Sequence, residues 1–371
     1  RQEIIRRYYA ALVNARQGLG EASDSAKIEL LMKQVGTNVN DRPVVAAALK
    51  KAEEILEEFE AALRQMQTPA EPELLYAPII YSMSGGGKRL RPVLLLIANE
   101  AFGGNIDKAM PAALAVEVFH NFTLLHDDIM DNASMRRGKP SVYAKWGGNV
   151  AILSGDTMLI VAYKHLLRIN PEYMQRVFSI FSDMAIDVCE GQQYDMDFES
   201  MSHVSAEEYI SMIERKTSAL LSGSAMIGAT LAGASEDDVK KIYRYATELG
   251  LAFQLQDDML DSYGDESLGK KIGGDILEGK KTFLMIQAMR QATDEERNTL
   301  LTTHLSTELS DAEKIATVKA LYDKYDVKRY TEQQIELRFE RALAALSTLS
   351  IAGERTTHLA EFARNLMGRK K

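Results

Sequence analysis

The chain has 371 residues, 46% hydrophobic and 26% charged, with a net charge of −9. That length suits one large domain or two ordinary ones, and the composition suits a soluble globular protein. The acidic balance argues against a nucleic-acid binder, no apolar run approaches the roughly 18 residues of a spanning helix, and one cysteine leaves no internal disulfide.

Only 8 prolines stand against 17 methionines, and Ala, Leu, Glu and Lys abound, which predicts an all-α chain. No secretory apolar region opens the sequence, and a cytoplasmic location is expected. Cys189, near Met184, Ile186 and Val188, is expected to be a buried, inert thiol.

Residues 1–45 are expected to form a helical extension. Ile4, Ile5, Tyr8, Tyr9 and Leu12 give an apolar face, and Gly18 and Gly20 interrupt it. No chemical motif lies there, so a decoration or partner-contact element is expected. From Ala46 to Met66, Ala52, Ile55, Leu56, Phe59 and Leu63 recur at helical spacing, and Pro69 and Pro72 close the segment. A second helix is expected over 73–83.

Gly85, Gly86 and Gly87 then lead into Lys88, Arg89, Leu90, Arg91 and Pro92. Glycines let backbone approach an anion closely, and Lys88, Arg89 and Arg91 bring three positive charges there. The spacing is not that of a P-loop, and no strand precedes it. A solvated basic turn is the plain alternative. In an acidic chain, directly before the apolar helix 93–101, diphosphate binding is favoured.

The helix expected over 111–130 ends in His126, Asp127, Asp128, Ile129 and Met130, followed by Asp131. Asp127 and Asp131 stack on one face with Asp128 beside them. Like charges at this spacing cost a few tenths of a kcal/mol, so a cation should offset them, and Mg2+ suits a carboxylate pair. An acidic solvated face would explain one such stretch alone. His120 lies about two turns earlier on nearly the same side, equally readable as a core histidine or as a ligand. Arg136, Arg137 and Lys139 form a second basic turn just beyond Asp131, placing guanidinium forks opposite the carboxylates.

A loop is expected over 141–148, then a helix over 149–169, with Asp156 given only a structural role. The helix 172–194 is expected to end in Gly191, Gln192, Gln193, Tyr194 and Asp195. One long helix over 207–232 carries Lys216 and Thr217. A buried lysine needs an anion, so Lys216 is a candidate third anchor for phosphate. Small residues after it, among them Gly223 and Gly228, permit close helix packing.

Asp257, Asp258 and Asp261 repeat the first aspartate spacing after the apolar run Leu249, Leu251, Ala252, Phe253 and Leu255. If the two helices face each other, their carboxylates converge across one cavity and hold several Mg2+ ions around a diphosphate. Beyond lies a glycine- and lysine-rich loop, 268–282, expected to act as a lid. Amphipathic helices fill 293–371.

With the two aspartate stretches, GGGKRLRP, MRRGKP, GQQYD, KT and GKKIGGD…EGKKT in this order, the chain resembles the trans-isoprenyl diphosphate synthases (polyprenyl synthetases), short-chain members making geranylgeranyl or farnesyl diphosphate above all. The resemblance covers roughly residues 50–371. It implies a large helical bundle around a central cavity, a synthase domain over 46–371, and a homodimer. The implied reaction is Mg2+-dependent condensation of isopentenyl diphosphate with an allylic diphosphate, with three Mg2+ per site once diphosphate is bound.

By motif, Lys88, Arg91, His120 and Arg137 match the isopentenyl diphosphate site. Asp127, Asp131 and Asp257 match direct metal ligands, supported by Asp128, Asp258 and Asp261, partly through water. Arg136, Lys216, Thr217, Gln254, Lys270 and Lys280 match the allylic diphosphate site, and the oxygens of Thr217 and Gln254 would steady an allylic cation. Phe119, Phe122 and Thr123 sit where chain length is set, and the combination resembles C20 more than C15 synthases. A longer-chain synthase and a non-catalytic partner subunit are the alternatives, although such subunits usually lose one aspartate stretch. A terpene cyclase, which typically has a different second metal motif, and a helical metal-binding scaffold fit the ordered basic motifs less well.

Overall fold

The structure, a computed structural model, describes residues 42–264 and 272–368, with side chains from residue 51 onward. The expectations for the first 41 residues, for Lys270 and for the start of the lid loop lie outside the described residues.

Among those residues the chain is helical throughout, apart from a two-residue antiparallel pair, β1 (Met135–Arg136) and β2 (Lys139–Pro140). Three helices form the centre: α3 (Leu90–Ala101), α4 (Ile106–Met130) and α9 (Ala219–Leu231). Helix α3 buries every residue from Pro92 to Asn99, and α4 every residue from Ala112 to Phe119. A helix apolar on all sides belongs inside a bundle. Gly228 brings α9 against α3: a Cβ there would lie 2.1 Å from the Leu95 carbonyl oxygen, and the Asn99 amide donates to the Gly228 carbonyl at 3.1 Å.

Around this centre run α1 (Arg42–Arg64), α2 (Glu73–Met83), α6 (Gly148–Leu166), α7 (Pro171–Ser200) and α10 (Glu236–Tyr263), with α15 (Val327–Leu346) and α16 (Gly353–Met367) closing the far side. A smaller core of Ile276, Leu284, Met285, Leu300, Val318 and Tyr322 joins α11 (Gly274–Glu278), α12 (Phe283–Gln291), α13 (Asp294–Thr302) and α14 (Asp311–Lys324). Helix starts follow local chemistry: the Asn105 side chain accepts from Lys108 N–H, and Ser205–Glu208 and Thr293–Glu296 form capping boxes.

Four expectations are corrected. The segment after β2 holds a short helix, α5 (Val142–Trp146), because the Ser141 hydroxyl caps it. Helix α7 does not stop at Tyr194 but runs to Ser200, and Gly191 lies inside it, packed against the Lys216 backbone. The long helix carrying Lys216 is divided into α8 (Ala206–Ile213) and α9 by a π-helical turn, Glu214–Ser218. Cys189 is exposed, because it lies on the outer face of α7 with Ile186 and Glu190.

Candidate active site

Asp127, Asp128 and Asp131 sit at the C-terminal end of α4, the negative pole of its dipole, so the helix itself opposes their charge. Cations from two other elements compensate. Arg136, on β1, donates from Nε to Asp128 Oδ1 at 2.7 Å and from Nη2 to Asp127 Oδ2 at 3.2 Å. Lys216, in the π turn, donates to Asp195 at 2.6 Å and stands 3.6 Å from Asp127 Oδ1. Burial would lower the Lys216 ammonium, yet Asp195 and Asp127 outweigh it and hold it above the usual lysine value. Asp127 Oδ1 is buried and accepts no hydrogen bond. Partial burial, then the neighbouring Asp127, raises the Asp131 carboxyl.

The second stretch lies on the last turns of α10. Asp258 is buried, accepting from the Tyr209 hydroxyl and, at 2.9 Å, from Gln254 Nε2; Thr217 Oγ1 in turn donates to Gln254 Oε1 at 2.9 Å. Burial pushes the Asp258 carboxyl up to about 6. Asp261 Oδ2 accepts the backbone N–H of Asp275 at 3.0 Å. Burial, then Asp261, pushes the Asp275 carboxyl up to about 8. Lys280 pairs with Glu278 at 2.9 Å and reaches Asp275 at 4.0 Å. Asp257 is half-buried among these groups.

The two stretches therefore treat their middle aspartates alike. Asp128 and Asp258 are both buried, with carboxylates occupied by protein donors: Arg136 in one case, Tyr209 and Gln254 in the other. The expectation of one shared cavity is only partly met. A cavity of about 1110 Å³ is walled by Asp127, Asp131, Arg136 and Lys280, while Asp257, Asp258 and Asp261 do not line it. Glu278, Gly279 and Lys280, which follow the Asp275 backbone held by Asp261, do line it.

On the basic side, Gly86 and Gly87 take φ values of +73° and +145°. Those angles favour glycine, and a Cβ at Gly87 would lie 3.0 Å from the Arg137 guanidinium. That guanidinium donates to the Gly86 carbonyl. Arg89 does not join the anion site. It turns inward to Glu60 at 2.8 Å, Glu117 at 2.7 Å and the Met83 carbonyl, because a buried Glu117 requires a cation. Arg91 Nη1 meets His120 Nε2 at 3.2 Å, and Arg91 Nε is buried without a partner. Burial brings Arg91 down to about 10, and burial with the nearby arginines drives His120 far below its usual value, so the ring is neutral. Lys88 is exposed.

Below the carboxylates, Phe119 is buried against Phe181, ring centroids 5.3 Å apart, and against Phe122 at 5.6 Å. Phe122 packs edge-on against His126 at 4.7 Å, and the Thr123 hydroxyl returns to the His120 carbonyl at 2.8 Å.

The sequence gives Asp195, Tyr209 and Asp275 no individual mark, and Asp275 appears only as the last residue of GKKIGGD. Asp195 lies within the GQQYD motif, whose glycine and polar residues signal a helix end. Tyr209 carried no signal, being one apolar-face residue among many.

For a divalent cation, the fit rests on Asp127: a buried carboxylate oxygen without a donor, one turn from a second carboxylate, is a hard-oxygen set that Mg2+ accepts. Among the described residues no three acidic, histidine or cysteine side chains converge on one point. One or two carboxylates with phosphate and water oxygens is the mode Mg2+ favours.

Residues 72–324 match the family described as Polyprenyl synthetase. The chain is 38% identical over 297 residues to the geranylgeranyl diphosphate synthase of Sulfolobus acidocaldarius, covering 78% of this chain and 89% of that one. It is 34% identical over 313 residues to the geranylfarnesyl diphosphate synthase of Natronomonas pharaonis, covering 79% and 89%. The crystal structure of geranylgeranyl pyrophosphate synthetase from Pyrococcus horikoshii superposes with a TM-score of 0.78 at 32% identity, covering 89% of this chain and 99% of that one.

Proposed function

This chain belongs to the polyprenyl synthetase family, and from that premise we propose that it condenses isopentenyl diphosphate with an allylic diphosphate to a short-chain all-trans prenyl diphosphate, C15 to C20 with C20 favoured. One observation carries the reading. Adjacent arginines on one hairpin serve two anion sites: Arg136 grips Asp127 and Asp128, while Arg137 grips the Gly86 carbonyl of the glycine turn. Two diphosphates can therefore lie side by side, one on the carboxylate side and one on the basic side.

Arg91, Arg137 and Lys88 would hold isopentenyl diphosphate, with the unpartnered Arg91 Nε as a ready donor and neutral His120 as a further hydrogen-bonding group. Arg136, Lys216, Lys270 and Lys280 would neutralise the departing diphosphate of the allylic substrate. Its C–O bond breaks with the electron pair leaving on pyrophosphate. The alkene carbon of isopentenyl diphosphate forms the new C–C bond, and a proton passes to the released pyrophosphate. Thr217 and Gln254 direct oxygen dipoles at the cation. Asp127, Asp131 and Asp257 would hold Mg2+, which when bound supplies charge neutralisation of pyrophosphate. Phe119, Phe122 and Thr123 would limit product length.

We take 46–371 as the synthase domain and place it in a homodimer in the cytoplasm. Helices α2 and α6 pack together and expose Leu74, Ile80, Ile152, Leu153 and Ile160, an apolar face suited to a second copy. No helix among the described residues is long and apolar enough to cross a membrane.

The test is incubation with Mg2+, labelled isopentenyl diphosphate and dimethylallyl, geranyl or farnesyl diphosphate in turn, sizing the dephosphorylated products. A ladder ending at C15 or C20 is expected. Products ending at C25 or beyond would keep the reaction and overturn the chain length, and no incorporation from any primer would overturn the reaction.

A further inference from the structure

We propose that Tyr209 is a positioning residue for this reaction, acting through Asp258 to hold Gln254 and Thr217 in one hydrogen-bond order. The inference rests on the synthase reading above. Three links join α8 to the π turn across α10. The Tyr209 hydroxyl donates to Asp258 Oδ2, Gln254 Nε2 donates to Asp258 Oδ1 at 2.9 Å, and Thr217 Oγ1 donates to Gln254 Oε1 at 2.9 Å.

The order of these donors follows from Asp258. A carboxylate only accepts, so the Gln254 amide must turn its N–H to Asp258 and its oxygen to Thr217. Thr217 then spends its proton on Gln254, and the remaining lone pairs of both oxygens stay unprotonated. The opposite amide orientation would leave N–H donors where an allylic cation forms, and a positive dipole would repel it. What fixes the amide is therefore what fixes the carboxylate. Asp258 is 4% exposed, and a carboxylate so buried needs donors on both oxygens. Gln254 supplies one on Oδ1 and Tyr209 one on Oδ2, and the backbone N–H of Phe283 donates to the same carboxylate. Tyr209, itself 4% exposed, comes from a different helix, so its contact pins Asp258 against motion of α10.

The ring of Tyr209 packs against Phe283, centroids 6.3 Å apart, and that contact survives in Tyr209→Phe, which deletes only the hydroxyl. In the full-length protein, Tyr209→Phe is expected to lower kcat roughly ten- to a hundredfold, with KM for isopentenyl diphosphate and half-saturating Mg2+ unchanged. In a Gln254→Leu background the same substitution is expected to add no further loss. A Tyr209→Phe enzyme with kcat within twofold of an active wild type overturns the proposal, as does a loss fully additive with Gln254→Leu. If the wild type itself turns over no primer, the synthase reading falls first and takes this role with it.

Discussion

Lys216 Nζ lies 3.6 Å from Asp127 Oδ1, an oxygen that accepts no hydrogen bond, while the same ammonium is bound at 2.6 Å to Asp195. The lysine is thus shared between a helix end that needs a cation and a second carboxylate that keeps it there.

Replacing Lys216 by Ala should lower kcat/KM for the allylic diphosphate by roughly a hundredfold, the scale of losing one preorganised charge from such a site. Asp127→Ala and Asp257→Ala should each cut turnover by orders of magnitude, with thermal unfolding little changed. Steady-state kinetics beside melting curves checks this. Wild-type-like rates in either aspartate variant would remove the metal assignment.

Gly191→Ala tests the π turn. A Cβ at Gly191 would lie 2.2 Å from the Lys216 backbone nitrogen, so the turn must shift. We expect a stability loss of about 1–3 kcal/mol and a fall in kcat larger than any change in KM. Denaturant unfolding and kinetics would show it, and an unaltered kcat would show that the turn does not position Lys216 for turnover.

Asp275 predicts a pH dependence. Its folded carboxyl titrates at about 8, whereas an unfolded aspartate titrates near 3.9. The folded state binds the proton more tightly, so this group's contribution is complete below about pH 4 and lost as pH rises through about 8. With chelator present, wild-type Tm should fall from pH 6 to 9 more steeply than that of Asp275→Asn. Parallel curves would refute the buried environment.

The aromatic layer predicts two different outcomes. Phe122→Ala, at a half-buried ring beside His126, should lengthen the product. Phe119→Ala, at a ring 1% exposed, should cost about 3–5 kcal/mol as well. Product sizing and unfolding curves separate the two, and an unchanged product ladder in Phe122→Ala would place the floor elsewhere.

The sequence by itself determined the helical class, the helix 73–83 with the prolines before it, and the identity of most charged groups at the site. Those features are local: apolar residues at 3.6 spacing, glycines before a basic run, carboxylates one turn apart. It could not say which charges face the cavity. Arg89 and Arg91 stand two residues apart in one basic run, yet Arg89 is consumed by Glu60 and Glu117 while Arg91 keeps an unpaired nitrogen. Asp127 and Asp128 likewise diverge by a rotation about one helix axis. The continuation of α7 past Tyr194, the π turn and the roles of Asp195, Tyr209 and Asp275 arise only where α7, α8 and α10 meet. Burial and hydrogen-bond partners are properties of neighbours distant in the chain, so tertiary packing alone decided them.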